Sequence, residues 1–156
     1  MDKYNYKKTT VILFLLLLML STENVFSKNK VGNATNSSSG EIVFSNKKWK
    51  DVMTEAKKSG KFIFVDAYTS WCGPCKLLKS TTFKDKKAAA FFNENFINYT
   101  TDMEKGEGPT LAEKWNITAY PSLLFFNSQG IMVLKQVGYV NAETLVEFGR
   151  QALLKK

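Results

Sequence analysis

The sequence contains no histidine and only two cysteines, Cys72 and Cys75, among its 156 residues. A protease-like cysteine nucleophile therefore lacks the histidine base that it needs. A structural zinc site needs four ligands, and two cysteines cannot supply them without carboxylates, so we expect no metal site. The chain is nevertheless 44% apolar and 13% aromatic, which is typical of one globular domain with its own core.

Acidic residues are also few, 14 against 22 lysines and arginines, and the net charge is +8. Residues 1–27 contain three lysines and two acids, which leaves +7 for the rest of the chain. This excess weakly favours an acidic surface or partner. Binding to a nucleic acid would be a more specific explanation of the positive charge, but the lysines are scattered and no aromatic-basic recognition motif is present. We therefore expect a solvated basic face and no nucleic-acid partner.

The apolar run Val11–Leu20 has ten residues, too few for a relaxed membrane span of about 20. It follows a basic start and precedes a polar segment with small residues at 25 and 27, which predicts a signal peptide over residues 1–27. An uncleaved membrane anchor is the alternative. Residues 28–40 are rich in Asn, Ser, Thr and Gly and predict a flexible linker before a domain over residues 41–156. We expect an exported protein, periplasmic or otherwise extracytoplasmic.

The remaining pattern alternates between strands and helices in the order β-α-β-α-α-β-α-β-β-α, beginning with a short strand over Glu41–Ser45. Gly60 predicts one helix end, and Asp85 and Asn141 predict N-caps of two later helices. Strands that alternate with helices before a closing hairpin predict an α/β fold, a central mixed sheet with helices on both faces. One acid, Asp66, lies inside an almost continuously apolar strand, so we expect it to be buried; a surface acid is the alternative.

The two cysteines lie in Cys72-Gly73-Pro74-Cys75, where a strand gives way to a helix. The first thiol should lie at the helix N-terminus, where free N–H groups and the helix dipole favour a thiolate, so Cys72 is the candidate nucleophile. Cys75, one turn inside the helix and less exposed, is placed to resolve a mixed disulfide on Cys72. Gly73 lets a partner backbone approach, and Pro74 fixes φ where no N–H is required.

A purely structural disulfide is the main alternative for this pair. A spacing of two residues closes a very short loop and constrains the unfolded chain little. The spacing in a strand-to-helix context therefore favours a redox-active disulfide between Cys72 and Cys75.

The stretch "VDAYTSWCGPCK" resembles the active site of the thioredoxin superfamily, including the tryptophan before the first cysteine. The resemblance continues in "AYPSLLFF" and "QVGYVNAETLVEF" and covers roughly Ile42 to Leu154. Within the superfamily, the chain is most similar to secreted and periplasmic thioredoxin-like domains, such as the C-terminal domain of the DsbD electron carrier. The resemblance implies a thioredoxin fold.

The resemblance also implies roles for single residues. The Tyr120–Pro121 bond would be cis, although only about 5–6% of such bonds are, and would leave the backbone of residue 120 free to pair with substrate. Asp66 would be a buried acid that accepts the proton of Cys75. Trp71 would form part of the contact rim, and Gly138 would allow close backbone approach.

Two features depart from the family. The lysine that partners the buried acid from the next strand has no obvious counterpart in "FINYTTDME". The loop "DMEKGEGPT" is longer than the equivalent loop of thioredoxin, which would alter the choice of partner.

These observations predict an exported thiol–disulfide oxidoreductase that acts on protein disulfides without a cofactor. The Gly-Pro pair between the cysteines resembles reducing members, whereas oxidases and isomerases usually carry a histidine there. An exported reductase must be re-reduced, which implies a membrane electron donor, and we expect a monomer. The alternatives are a non-catalytic binding module or chaperone, and a disulfide oxidase or isomerase.

Overall fold

The computed structural model describes residues 40–155. The predicted signal peptide, and all of the predicted linker except Gly40, lie outside the described residues. No helix within residues 40–155 is both long and apolar enough to cross a membrane.

Five α-helices and four strands make up the described part of the chain, and they are numbered here in chain order. The helices are α1 (Trp49–Ser59), α2 (Gly73–Ser80), α3 (Lys86–Asn95), α4 (Gly108–Lys114) and α5 (Ala142–Leu153), with a 3₁₀ turn at Thr82–Lys84. The strands are β1 (Phe62–Tyr68), β2 (Phe96–Asp102), β3 (Ser122–Phe126) and β4 (Met132–Val137).

The four strands form one mixed sheet in the order β2-β1-β3-β4. β1 is parallel to β2 and antiparallel to β3, and β3 and β4 form an antiparallel hairpin. β1 is therefore central, with a neighbour on each side, and its middle residues are all buried. The strand that leads into the cysteine pair is therefore one of the two internal strands of the sheet, together with β3.

Apolar side chains cover both faces of the sheet, because successive residues of a strand point to opposite faces. On one face, Ile63 and Val65 of β1 pack in a cluster with residues of α1 and α4. On the other face, Phe64 packs with residues of α2, α3 and α5, including Leu78. The predicted α/β thioredoxin fold, a central mixed sheet with helices on both faces, is confirmed.

The predicted helix boundaries are confirmed where a cap was expected. Gly60 ends α1 with a left-handed φ of 73°, which glycine adopts without steric cost. The Asp85 carboxylate accepts hydrogen bonds from the N–H groups of Lys87 and Ala88 at the start of α3. Asn141 caps α5 in the same way, through the N–H of Thr144.

The predicted first strand over residues 41–45 is wrong, since only Ser45 forms an isolated parallel bridge, to Tyr99. The N–H of Ile42 donates to the carbonyl of Phe83 at 2.8 Å, and the N–H of Val43 donates to the side-chain oxygen of Asn93 at 2.9 Å. These donors are thus bonded to a turn and to a helix side chain. Residues 41–45 therefore cannot form a continuous ladder with β2, because the N–H groups of Ile42 and Val43 are bonded elsewhere.

Candidate active site

Both cysteines lie at the junction between β1 and α2, and they form a disulfide. Cys72 is the N-cap of α2, and its Sγ accepts a hydrogen bond from the N–H of Cys75 at 3.2 Å. Cys72 is 3% exposed and Cys75 is 1% exposed, so the expected order of exposure holds but the difference is small. The oxidised pair is therefore almost enclosed by the chain.

Gly73 and Pro74 separate the two cysteines and form the first turn of α2. Pro74 lies in that turn, where the missing N–H leaves no helical hydrogen bond unmade. Both residues are exposed, and a Cβ added at Gly73 would meet no atom within 4 Å. The chain therefore leaves open space beside the pair on this side.

Contacts that begin at Trp71, the residue before Cys72, connect three separate chain segments. The ring of Trp71, which is 64% exposed, lies edge-on to the ring of Tyr120 with centroids 6.0 Å apart. The Tyr120–Pro121 bond is cis, as the family resemblance implied. The carbonyl of Pro121 accepts a hydrogen bond from the N–H of Gly138 at 2.8 Å. Gly138 has a φ of 93°, which favours glycine at this position. Space is not the reason, because a Cβ added at Gly138 would meet no atom within 4 Å.

Glu104 also belongs to this surface, and sequence reasoning did not find it. The indole N–H of Trp71 donates to both carboxylate oxygens of Glu104, each at 3.0 Å. Glu104 lies in the loop between β2 and α4, the loop that the sequence identified as unusually long. Its contact with Trp71 depends on the course of that loop, so no local sequence pattern indicates it.

Asp66 is buried, as its apolar strand predicted, and is 1% exposed. Thr100 lies opposite Asp66 in the β1–β2 register, and its hydroxyl donates to Asp66 Oδ2 at 3.0 Å. Asp66 Oδ1 is buried without a hydrogen-bond partner among the described residues. Burial raises the pKa of Asp66 to about 6, while the charge of Lys79 and the hydrogen bond from Thr100 act to lower it.

The positive charge that acts on the pKa of Asp66 belongs to a lysine of a helix, Lys79, and not to a residue of the neighbouring strand. Lys79 lies in α2, and its Nζ is 3.0 Å from the centroid of the Tyr68 ring. Burial lowers the pKa of Lys79, and the charges of Asp66 and Asp102 oppose that shift. The absence of a lysine from β2 thus leaves Asp66 with a hydroxyl partner on the strand and a cation on the helix.

No group of three or more Cys, Asp or Glu side chains that could hold a metal ion occurs within residues 40–155. The candidate site therefore consists of the two sulfur atoms, the buried carboxyl group with its polar neighbours, and a rim formed by the exposed Trp71 and the partly buried Tyr120.

The mixed sheet, the cis-proline loop and a disulfide at the start of a helix together define a thioredoxin-fold protein with a Cys-Gly-Pro-Cys site. Residues 49–153 match the thioredoxin-like domain family, and the chain belongs to that family.

Named relatives include proteins of thiol–disulfide exchange. The thiol:disulfide interchange protein DsbD of Colwellia psychrerythraea is 29% identical over 145 residues, which cover 88% of this chain. They cover 24% of that protein, so this chain spans about a quarter of the length of the relative.

Solved structures show the same similarity. A solution structure from Bacteroides thetaiotaomicron, provisionally described as a disulphide-isomerase, is 40% identical, with a TM-score of 0.66. It aligns over 74% of this chain and 96% of its own. The reduced C-terminal domain of DsbD from Neisseria meningitidis has a TM-score of 0.57 and 24% identity, over 66% of this chain and 92% of its own. At 24% identity, the similarity to the DsbD domain supports the fold alone.

Proposed function

We propose that this protein is an exported thiol–disulfide oxidoreductase that reduces protein disulfides through Cys72 and Cys75. The observation that carries the proposal is the bonded pair at the start of α2, with Cys72 Sγ accepting the N–H of Cys75. In the reduced protein, the same N–H and the helix dipole would stabilise a Cys72 thiolate. This supports Cys72 as the nucleophile and Cys75 as the resolving thiol.

The proposed reaction has two exchange steps. The Cys72 thiolate attacks one sulfur of a substrate disulfide, forms a mixed disulfide and releases the first substrate thiolate. Cys75 then loses its proton and attacks Cys72 Sγ, so that the Cys72–Cys75 disulfide forms and the second substrate thiolate leaves. The substrate gains two electrons and the protein dithiol is oxidised. The exchange uses no cofactor.

Asp66 is the proposed acceptor of the Cys75 proton. It lies on the same face of β1 as Phe64, whose side chain packs with Leu78 of α2, so the carboxyl faces the helix that carries Cys75. A base with a pKa of about 6 is ionised at neutral pH and binds a proton more readily than an ordinary carboxylate does.

The proposed substrate-binding residues are Trp71, Gly73, Pro74, Tyr120, Pro121 and Gly138. The exposed ring of Trp71 and the partly buried ring of Tyr120 provide apolar surface for a protein substrate. A substrate strand would bind beside the backbone of residue 120.

The direction of electron flow separates the proposed reductase from its main alternative. The Gly-Pro pair resembles reducing members of the family, whereas the 40% identical Bacteroides structure, provisionally a disulphide-isomerase, favours an isomerase as second candidate. The reduction potential of the Cys72–Cys75 pair, measured in graded glutathione buffers, distinguishes them. A value near about −270 mV is expected for the reductase, and a value near about −120 to −180 mV would indicate an oxidase or isomerase.

A non-catalytic binding module is the remaining alternative, and Cys72→Ser tests it. The reductase loses turnover of a disulfide substrate such as insulin in this variant, because the nucleophile is gone. Ser70→Ala, at an exposed position two residues before Cys72, is the matched control and should retain turnover. A binding module would bind its partner equally in wild type and Cys72→Ser, and neither protein would reduce insulin.

Export is proposed from residues 1–27, with either cleavage after Ser27 or retention as an anchor. A reductase outside the cytoplasm needs a membrane electron donor, and the similarity to DsbD supports that kind of partner. Intact mass of the protein from fractionated cells tests the proposal, since cleavage gives a chain that begins at Lys28. Recovery of full-length protein in the soluble cytoplasmic fraction would contradict it. Light scattering of the purified protein tests the expected monomer.

A further inference from the structure

The half-buried side chain of Lys79 lies on the same face of β1 as the buried acid. Its Nζ lies 3.0 Å from the centroid of the Tyr68 ring. Tyr68 follows Asp66 by two residues on β1, and residues two apart on a strand point to the same face. The contact with Tyr68 therefore holds the ammonium group over the part of the sheet where Asp66 is buried.

Lys79 is also aligned with the resolving cysteine. Residues four apart on a helix lie on one face, one turn apart, and Cys75 and Lys79 have this spacing in α2. Leu78, next to Lys79, packs in one cluster with Phe64, which lies on this face of β1. The thiol, the carboxyl and the ammonium group thus share the layer between β1 and α2.

We propose that Lys79 is a positioning residue for proton transfer in this protein: its ammonium group, held against the Tyr68 ring, keeps Asp66 ionised and ready to accept the proton of Cys75. The inference rests on the proposed two-step exchange and concerns only its second step. In that step the proton of Cys75 passes to Asp66, the Cys72–Cys75 bond forms, and the bond from Cys72 to the substrate sulfur breaks.

The charges around Lys79 agree with this role. Removing the Lys79 charge would raise the pKa of Asp66 further, because burial then acts against the hydrogen bond from Thr100 alone. Burial also raises the pKa of Tyr68, so its ring is neutral at the pH values of interest. Asp102 acts on Lys79 from the end of β2, and its carboxylate lies 3.5 Å from Nζ of Lys105. Asp66 is therefore the buried acid on which the Lys79 charge acts.

A titration of the Asp66 carboxyl by ¹³C NMR in the oxidised protein is the direct test. Wild type should titrate near pH 6, and Lys79→Met should titrate about one pH unit higher, because the opposite charge is gone. Lys79→Arg keeps the charge and should stay close to wild type. Lys58→Met removes a lysine from the exposed end of α1 and is the matched control for net charge. An unchanged Asp66 titration in Lys79→Met would overturn the inference.

The second readout is the exchange reaction with 5,5′-dithiobis(2-nitrobenzoate), followed by stopped flow. The reduced protein releases one thionitrobenzoate when Cys72 attacks and a second when Cys75 resolves the mixed disulfide. In Lys79→Met the second release should slow about fivefold at pH 6 and approach the wild-type rate above pH 8, while the first release keeps its rate. An equal change of both phases at every pH would contradict the inference.

The two readouts separate failure of this inference from failure of the proposed function. If wild type releases no second thionitrobenzoate from Cys75, the two-step exchange itself is wrong. If wild type shows both phases and Lys79→Met matches it at all pH values, only the role of Lys79 is wrong. Lys79→Gln provides the same loss of charge in a polar side chain if the methionine variant does not fold, and the same outcomes apply to it.

Discussion

At the scale of single residues, the two oxygens of Asp66 have different surroundings. Oδ2 accepts a hydrogen bond from Thr100, and Oδ1 has no partner among the described residues. A buried carboxylate with one hydrogen bond is costly, because the lost hydration is only partly replaced. The proton affinity of Asp66 therefore depends on the few groups near it, and a change in one of them should be measurable.

Thr100→Val is expected to raise the pKa of Asp66 above its value of about 6. The variant keeps the shape of the side chain but removes the donor that favours the ionised carboxyl. The increase should be about one to two pH units, since a hydrogen bond to a charged group is worth about 1.5–3 kcal/mol and one pKa unit corresponds to about 1.4 kcal/mol. A ¹³C titration of the Asp66 carboxyl measures it. Thr100→Ser retains the hydroxyl, so the pKa of Asp66 in that variant should equal the wild-type value. An unchanged pKa of Asp66 in Thr100→Val would show that the hydrogen bond contributes nothing.

At the scale of elements, backbone hydrogen bonds tie the loop between β2 and α4 to the sheet at one end and to the start of α4 at the other. The N–H of Met103 donates to the carbonyl of Tyr68 at 2.8 Å, and the N–H of Gly108 donates to the carbonyl of Lys105 at 2.8 Å. The same loop brings Glu104 to the indole of Trp71. The shape of this loop therefore determines part of the surface beside the disulfide.

Gly108→Ala should destabilise the protein and move this loop. A Cβ at position 108 would overlap the carbonyl oxygen of Asp102 and crowd Cα of Met103, and both are backbone atoms that cannot move without opening the turn. The expected loss in free energy of unfolding is about 1–3 kcal/mol, measured by urea denaturation. Gly40→Ala is the matched control, since a Cβ there would meet no atom within 4 Å. Equal denaturation midpoints for both variants would contradict the prediction.

At the scale of the whole molecule, one buried acid makes the stability of the fold depend on pH. The pKa of Asp66 is about 6 in the folded protein and about 3.8 when unperturbed, so the folded state binds this proton more strongly. Unfolding then becomes easier as the pH rises from about 4 to about 6, and the loss is complete above that window. A difference of this size corresponds to about 3 kcal/mol.

Asp66→Asn should remove this pH dependence, because asparagine carries no charge to bury. Relative to wild type, the variant should gain about 3 kcal/mol between pH 4 and pH 8 in urea unfolding of the oxidised protein. The comparison uses the difference between the two proteins at each pH, so that the other carboxylates cancel. A constant difference across that range would show that Asp66 titrates normally in the fold.

Much of the fold could be predicted because its signals are local. The apolar strand before Cys72 and the caps at Gly60, Asp85 and Asn141 depend on neighbouring residues only, and each is found as predicted. The strand predicted over residues 41–45 failed because a strand also needs its backbone groups to pair with a neighbouring strand, and the N–H groups of Ile42 and Val43 are bonded to a turn and to a helix side chain instead. Local β propensity contains no information about such a partner.

The sequence by itself determined the order of the elements from α1 onward, the place of the cysteine pair at a strand-to-helix junction and the burial of Asp66, since residue type and short spacing decide these. Only the tertiary structure decided which groups surround that acid. The hydroxyl of Thr100 reaches Asp66 through strand register. The packing of α2 on β1 places Lys79 over the ring of Tyr68, on the same face of β1 as Asp66, and the course of a loop brings Glu104 to Trp71. These contacts join residues far apart in the chain, and their distances depend on the packing of the whole domain.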